Sequence, residues 1–171
     1  MASKKKGIQN EPVVISVIED LRRKGYNQSE IAEMYGVTRQ AVSWHKIVYG
    51  GAMTTRQIVN KSWPWKTTNW HGKSKLFQRL RDHGEFMATG GKGMNADKRQ
   101  RLRSFLNHLK DNNLVVEFDP EIPPEAGVSP HGGFALRPRE ESDGKLIIRV
   151  NEHTTLTKEG KLIWVFPPRD P

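Results

Sequence analysis

No cysteine occurs in the 171 residues, so the chain has neither a disulfide framework nor a thiolate metal site. No apolar run approaches the roughly 20 residues that cross a bilayer. The N-terminal stretch MASKKKGIQNEP is positively charged but has no apolar segment behind it, which excludes a secretory signal. Catalytic patterns are missing as well. The six histidines are scattered without an HExxH spacing, no two acids share an apolar setting, and the serines and tyrosines lack the flanks of a hydrolase or recombinase nucleophile. GGKGMN is glycine-rich, yet no GK[ST] follows and no strand precedes it, so it is not a nucleotide-hydrolysing P-loop. The expectation is a soluble intracellular protein that is not an enzyme, with no cofactor, no metal, no small-molecule ligand and no membrane partner.

Acidic residues are scarce where basic ones are dense. Residues 1–112 carry 21 Lys and Arg against 9 Asp and Glu, whereas residues 113–171 carry 7 against 10. The formal net charge of +9 is therefore concentrated in the first two thirds, which points to a polyanion and above all to nucleic acid. Solvation alone accounts equally well for the Lys4, Lys5, Lys6 cluster.

Hydrophobic spacing predicts a first helix from Pro12 until Gly25, with Val14, Ile15, Val17, Ile18 and Leu21 on one face. Short helices are predicted over 29–35 and from Thr38 to about Val48, and Gly50 and Gly51 close that unit. A fourth helix begins at Ser74 and runs towards GGKGMN. A fifth covers about 96–112, with Leu102, Phe105, Leu106 and Leu109 as its buried stripe. Beyond it LVVEF, KLIIRV and KLIWVF are β-prone runs between proline, glycine and acidic segments, which predicts a small antiparallel sheet or long wings. The fold class expected is mainly α with a small β part. Residues 1–51 form an N-terminal arm and helix-turn-helix domain, 52–72 a tryptophan-rich connector that packs the two halves together, and 73–171 an α+β domain with a short antiparallel sheet.

The stretch IAEMYGVTRQAVSWHK suggests what the N-terminal unit does. Two short helices meeting at a sharp corner need a small residue at the close approach (Ala32), a left-handed residue at the turn (Gly36) and a cap on the new helix (Thr38). Ile31, Tyr35, Val37 and Val42 occupy the positions such a corner buries. An ordinary helical hairpin does not need all of these together. His45 stands where an aliphatic residue is commoner and is expected to be a hydrogen-bonded, partly buried histidine. With the second helix in the major groove, Thr38, Arg39, Gln40, Ser43 and Trp44 are the base-reading candidates: Arg39 matches guanine, Gln40 matches adenine, and Ser43 reaches a base edge or a phosphate. Trp44 fits either a sugar or thymine-methyl contact or the core. Gln28, Lys46 and the arm residues Lys4, Lys5 and Lys6 are backbone candidates, the arm fitting the neighbouring minor groove.

Residues 61–110 hold 12 Lys and Arg against 3 acids, many of them in NADKRQRLR. A glycine-rich loop feeding a helix start is a phosphate-binding geometry. Lys73, Lys75, Lys92, Asn95, Lys98, Arg99, Arg101 and Arg103 are accordingly candidates for a second set of DNA-backbone contacts, against the plainer reading of a solvated helix face.

IAEMYGVTRQAVSWH, WPWKT and FQRLRDHGEFMATGGKGM together resemble the immunity repressors of temperate mycobacteriophages, over most of the chain from about residue 12. The helix-turn-helix pattern is shared by many regulators, and the middle segment makes the resemblance specific. The resemblance implies a double-stranded-DNA-binding repressor that keeps a prophage silent and excludes related phages, acting on DNA in the bacterial cytoplasm. It also implies that a single subunit binds short asymmetric sites, both an operator and scattered transcription roadblocks. A monomer agrees with the absence of a heptad run. Two alternatives stay open at this level: the DNA-binding portion of a transposase or recombinase, and a sigma-like polymerase-associated factor.

Overall fold

The computed structural model describes residues 21, 23–36, 54–157, 160–167 and 170–171. The predicted first helix up to residue 20, the predicted helix from Thr38 to about Val48, and the glycine pair at 50 and 51 lie outside the described residues. Near the N-terminus Leu21 and Arg23 are helical, and Gly25 follows at φ 93°. Helix α1 is Gln28–Tyr35, one residue longer than expected because its cap is Asn27. The Asn27 side chain accepts from the Glu30 amide at 2.9 Å while the Asn27 amide donates to Glu30 Oε2 at 2.7 Å, so two orphan N–H groups are satisfied reciprocally. Gly36 ends the helix at φ 64°, and Leu21, Ile31, Ala32 and Tyr35 form a small buried cluster.

From Thr54 onward the chain builds a larger core. Helix α2, Thr55–Ser62, starts from a Thr54–Gln57 capping box and stops at Trp63, which precedes Pro64 and is extended. Helix α3, Lys75–Thr89, begins at Ser74, whose hydroxyl accepts from the Leu76 amide and donates to the Val128 carbonyl. It ends at Gly90 with φ 67°. Helix α4, Ala96–Asp111, is capped by Asn95 and buries Leu102, Phe105, Leu106 and Leu109, the stripe expected from the sequence. These side chains join Leu80 and Phe86 of α3 in one core. Trp65 belongs to the same core, in edge contact with Trp63 at 5.3 Å and with Phe134 at 5.5 Å. The aromatic segment is thus packed into this unit along with α2.

The sheet is a two-stranded antiparallel ribbon of β1, Leu114–Phe118, and β2, Phe134–Pro138, in register from Leu114 opposite Pro138 to Phe118 opposite Phe134. LVVEF is a strand as expected, but its partner is FALRP. The expectation of strands at KLIIRV and KLIWVF is corrected by the structure. Ile147 and Ile148 are both fully buried, which a half-exposed strand with alternating faces does not allow. KLIIRV instead makes isolated bridges, Val116 to Ile148 and Leu146 to Val165. In KLIWVF the first residues belong to the short helix α5, Gly160–Ile163, which turns both Ile163 and Trp164 into the core. The turn is held by Thr157, whose hydroxyl accepts from the Gly160 amide at 3.0 Å. Trp164 then donates its indole N–H to the Ser62 carbonyl at 3.0 Å and ties α5 to the end of α2.

Candidate nucleic-acid interface

Helices α3 and α4 are joined by a reversal in which Gly90, Gly91 and Gly93 all adopt positive φ. Gly91 is required for space as well, because a Cβ there would lie 3.0 Å from Phe86 Cε2. Lys92 is exposed at the tip of this reversal. Asn95, exposed, accepts from the Lys98 amide at 2.8 Å, so its side chain is already occupied as the α4 cap.

The cations around the start of α4 divide into two kinds. Lys98 is half-buried, and its ammonium bonds Glu85 and stands 3.6 Å from Asp82, both on α3. Burial raises the Asp82 pKa, against the pull of Arg79, whose guanidinium lies 3.2 Å away, and of Lys98. Arg103 bonds Gln100 Oε1 at 2.9 Å and the Pro171 carbonyl. Arg99 and Arg101 are exposed and have no carboxylate partner among the described residues. They are the two cations of NADKRQRLR free to meet an external anion.

Lys73 and Lys75 lie at the other end of α3, both exposed. The Lys73 ammonium sits 4.5 Å from the ring centre of Trp70, which is 59% exposed and lies beside His131 with ring centres 4.9 Å apart. Two acids of the C-terminal third, Glu117 and Asp143, are used internally. Arg137 Nε donates to Glu117 Oε2 at 2.7 Å across the ribbon, and Arg149 pairs with the buried Asp143 at 2.8 Å, which holds the Asp143 carboxyl below its usual range despite burial. They do not offset the charge of α3 and α4.

Gln28, a backbone candidate, is the first residue of α1 and half-exposed. Thr38, Arg39, Gln40, Ser43, Trp44, Lys46, Lys4, Lys5 and Lys6 lie outside the described residues.

Sequence reasoning missed a second basic cluster. Arg56 of α2, Lys66 beyond the Trp63–Trp65 pair and Arg81 of α3 line a single groove of about 890 Å³ whose walls include Trp63 and Phe77. The Arg81 guanidinium lies 5.4 Å from the Trp63 ring centre. Burial first, and the charge of Arg56 second, push the Arg81 pKa below its ordinary value. Lys66 and Arg81 belong to the basic 61–110 stretch and Arg56 precedes it, but they are spread along the chain, so only the packing of α2 on α3 brings them together.

No family model matches the chain. It is 60% identical over 157 residues to the "Repressor-like immunity protein" of Mycobacterium phage L5, an alignment that covers 91% of this chain and 85% of that protein. With identity of that level spread over almost the whole length, and including the middle segment that makes the resemblance specific, the chain belongs to the immunity repressor family of the mycobacteriophages.

Proposed function

We propose that the protein is a transcriptional repressor of a temperate phage that binds double-stranded DNA sequence-specifically, maintaining lysogeny and superinfection immunity from the host cytoplasm. The observation that carries this reading is the start of α4, where Arg99 and Arg101 stand exposed and without carboxylate partners, beside a capped helix end. Asp82 and Glu85 are matched by Lys98 and Arg79, and Asp97 in the first turn of α4 makes no ion pair with Arg99 or Arg101 among the described residues, so the surplus charge is not cancelled locally. α1 supports a helix-turn-helix in the N-terminal unit: Ala32 is buried, and Gly36 closes the helix in the left-handed conformation two residues before Thr38. In this reading the helix from Thr38 enters the major groove, with Arg39 and Gln40 on base edges, Ser43 on a base edge or a phosphate, and Lys46 and Gln28 near the backbone. The basic face of α3 and α4 supplies a second, sequence-independent contact.

Two unlike contact units in one chain suit an asymmetric site occupied by a monomer, at an operator and at roadblock sites alike. The test is a footprint on phage and host DNA combined with the mass of the complex on the minimal site. A non-palindromic footprint with one chain per site is expected. A palindromic footprint bound by two chains would overturn the monomer reading, and absence of any specific protection would overturn the repressor reading.

A further inference from the structure

We propose that the groove between α2, the Trp63–Lys66 segment and α3 seats one backbone phosphate of the bound duplex, held by Arg81 together with Arg56 and Lys66. The proposal rests on the DNA-binding reading above and adds a site outside the basic face at the start of α4. Three cations from separate segments converge on this groove, and none of them has a carboxylate partner among the described residues. Convergence of like charge is unfavourable unless an anion joins it, and burial makes it more so. Arg81 bears both penalties, being partly desolvated and facing Arg56. A phosphate relieves both at once.

The geometry also suits a phosphate in particular. The Arg81 guanidinium, 5.4 Å from the Trp63 ring centre, is held by a cation–π contact that restrains where it sits in the groove. A planar fork is the side chain best matched to two phosphate oxygens. Asp82 and Glu85, which follow Arg81 within one turn of α3, also line the groove and would repel an anion, but Lys98 bonds Glu85 and Arg79 and Lys98 both attend Asp82. The lining cations Arg56, Lys66, Arg81 and Lys98 therefore outnumber the lining carboxylates Asp82 and Glu85, and the groove keeps a net positive charge. With about 890 Å³ the groove is much larger than one phosphate, and the Trp63 and Phe77 walls offer apolar surface for the adjoining deoxyribose. A stretch of DNA backbone fits these walls better than a free phosphate ion does.

The experiment uses the full chain with Arg56→Gln, Arg81→Gln and the double variant. Affinity for a duplex carrying the operator and for a random duplex is measured over a range of salt concentrations. Removing one phosphate contact lowers the slope of log affinity against log salt by about 0.9. Because the two arginines share one phosphate, the double variant is expected to drop by about 0.9 in slope, no more than a single phosphate accounts for, and equally on both duplexes. Arg56 is exposed, so Arg56→Gln keeps the fold, and the thermal midpoint checks this for all variants. Unchanged slopes in variants of a wild-type chain that does bind DNA would overturn the groove while leaving the repressor reading intact. A wild-type chain that binds no duplex would overturn that reading and the groove with it. Stabilisation of the wild type but not of Arg81→Gln by inorganic phosphate, with DNA slopes unchanged, would assign the groove to a free anion and overturn the DNA seat.

Discussion

The Nε2–H of His83, on the buried face of α3, donates to the Ile163 carbonyl of α5 at 2.7 Å, while its Nδ1 has no partner among the described residues. His83 is fully buried, and Trp164 packs beside it with ring centres 6.0 Å apart. A single neutral histidine thus fastens the C-terminal segment to the central helix. Burial pushes its pKa from the ordinary 6.5 down to about 4, against the smaller opposite pull of the backbone hydrogen bonds.

That shift sets a direction for stability. The unfolded chain protonates this histidine below pH 6.5, whereas the folded chain keeps it neutral down to about pH 4. The stabilisation from neutral His83 is therefore fully present above 6.5 and is lost as the pH falls from 6.5 towards 4. The loss is on the order of 3 kcal/mol over that window. Urea midpoints at about pH 7.5, 6, 5 and 4.5 measure it. His83→Gln retains an amide donor for Ile163 and has nothing to titrate, so its midpoint should be flatter with pH. Equal pH dependence in the two proteins would show that other groups dominate.

Gly84 follows His83 in mid-helix, where glycine lowers helix stability by about 1 kcal/mol relative to alanine. Its use is space: a Cβ there would stand 3.0 Å from Val59 Cγ1 on α2 and 3.5 Å from Trp164 Cη2, both on buried side chains. Neither neighbour can swing into solvent, so Gly84→Ala should destabilise the fold by about 1–2 kcal/mol despite its better helix propensity. Adding Val59→Ala vacates the contested space, and the double variant should lose less than the sum of the single ones. Additive losses in denaturant melts would count against a clash as the cause.

The long elements of this unit were legible because helical stripes such as Leu102, Phe105, Leu106 and Leu109 are set by local spacing. β1 was legible for its run of β-branched and aromatic residues. β2 was not, since Phe134 and Ala135 are both buried and no alternation marks them. KLIWVF misled for a related reason: β propensity favours a strand, but burying Ile163 and Trp164 on the same side requires a helical turn. Asn27 as a cap was readable from Glu30 three residues on, though Ser29 looked like the start. The cations at the start of α4 were visible as a sequence run. Which of them were free was not, because Lys98 is taken by acids 13 and 16 positions earlier on another helix.

Lys98 and its neighbours should separate cleanly. Lys98→Gln leaves the partly buried carboxylates of Asp82 and Glu85 without their shared cation, and should cost about 1–2 kcal/mol of stability, less than a fully buried pair because all three groups keep some solvent contact. Arg99→Gln and Arg101→Gln remove charges with no internal partner, so their stability should stay within about 0.5 kcal/mol of the wild type. Their effect should be on DNA, with the salt slope falling by about 0.9 for each phosphate no longer neutralised. Thermal melts and salt-dependent binding on the same proteins check both halves. Intact slopes in the two arginine variants would leave α4 as a solvated face.

Specificity should depend on Arg39 and Gln40, since a helix-turn-helix reads base edges from the start of its second helix. Each side chain can bond two atoms on one base, Arg39 on guanine and Gln40 on adenine, an arrangement that a different base cannot satisfy. Replacing either by Ala should weaken operator binding by about 1–3 kcal/mol and relax the preference mainly at one base pair. Random DNA offers no matched base, so affinity for it should hardly change. The comparison between operator and random duplex is thus more informative than the size of the loss. Selection of binding sites from a randomised pool by each variant gives the readout, with Arg99→Gln as the contrast: it should lower affinity for all sequences and leave the selected motif unaltered. A loss in Arg39→Ala and Gln40→Ala that is equal on operator and random DNA would make these residues phosphate contacts and move base reading elsewhere on the protein.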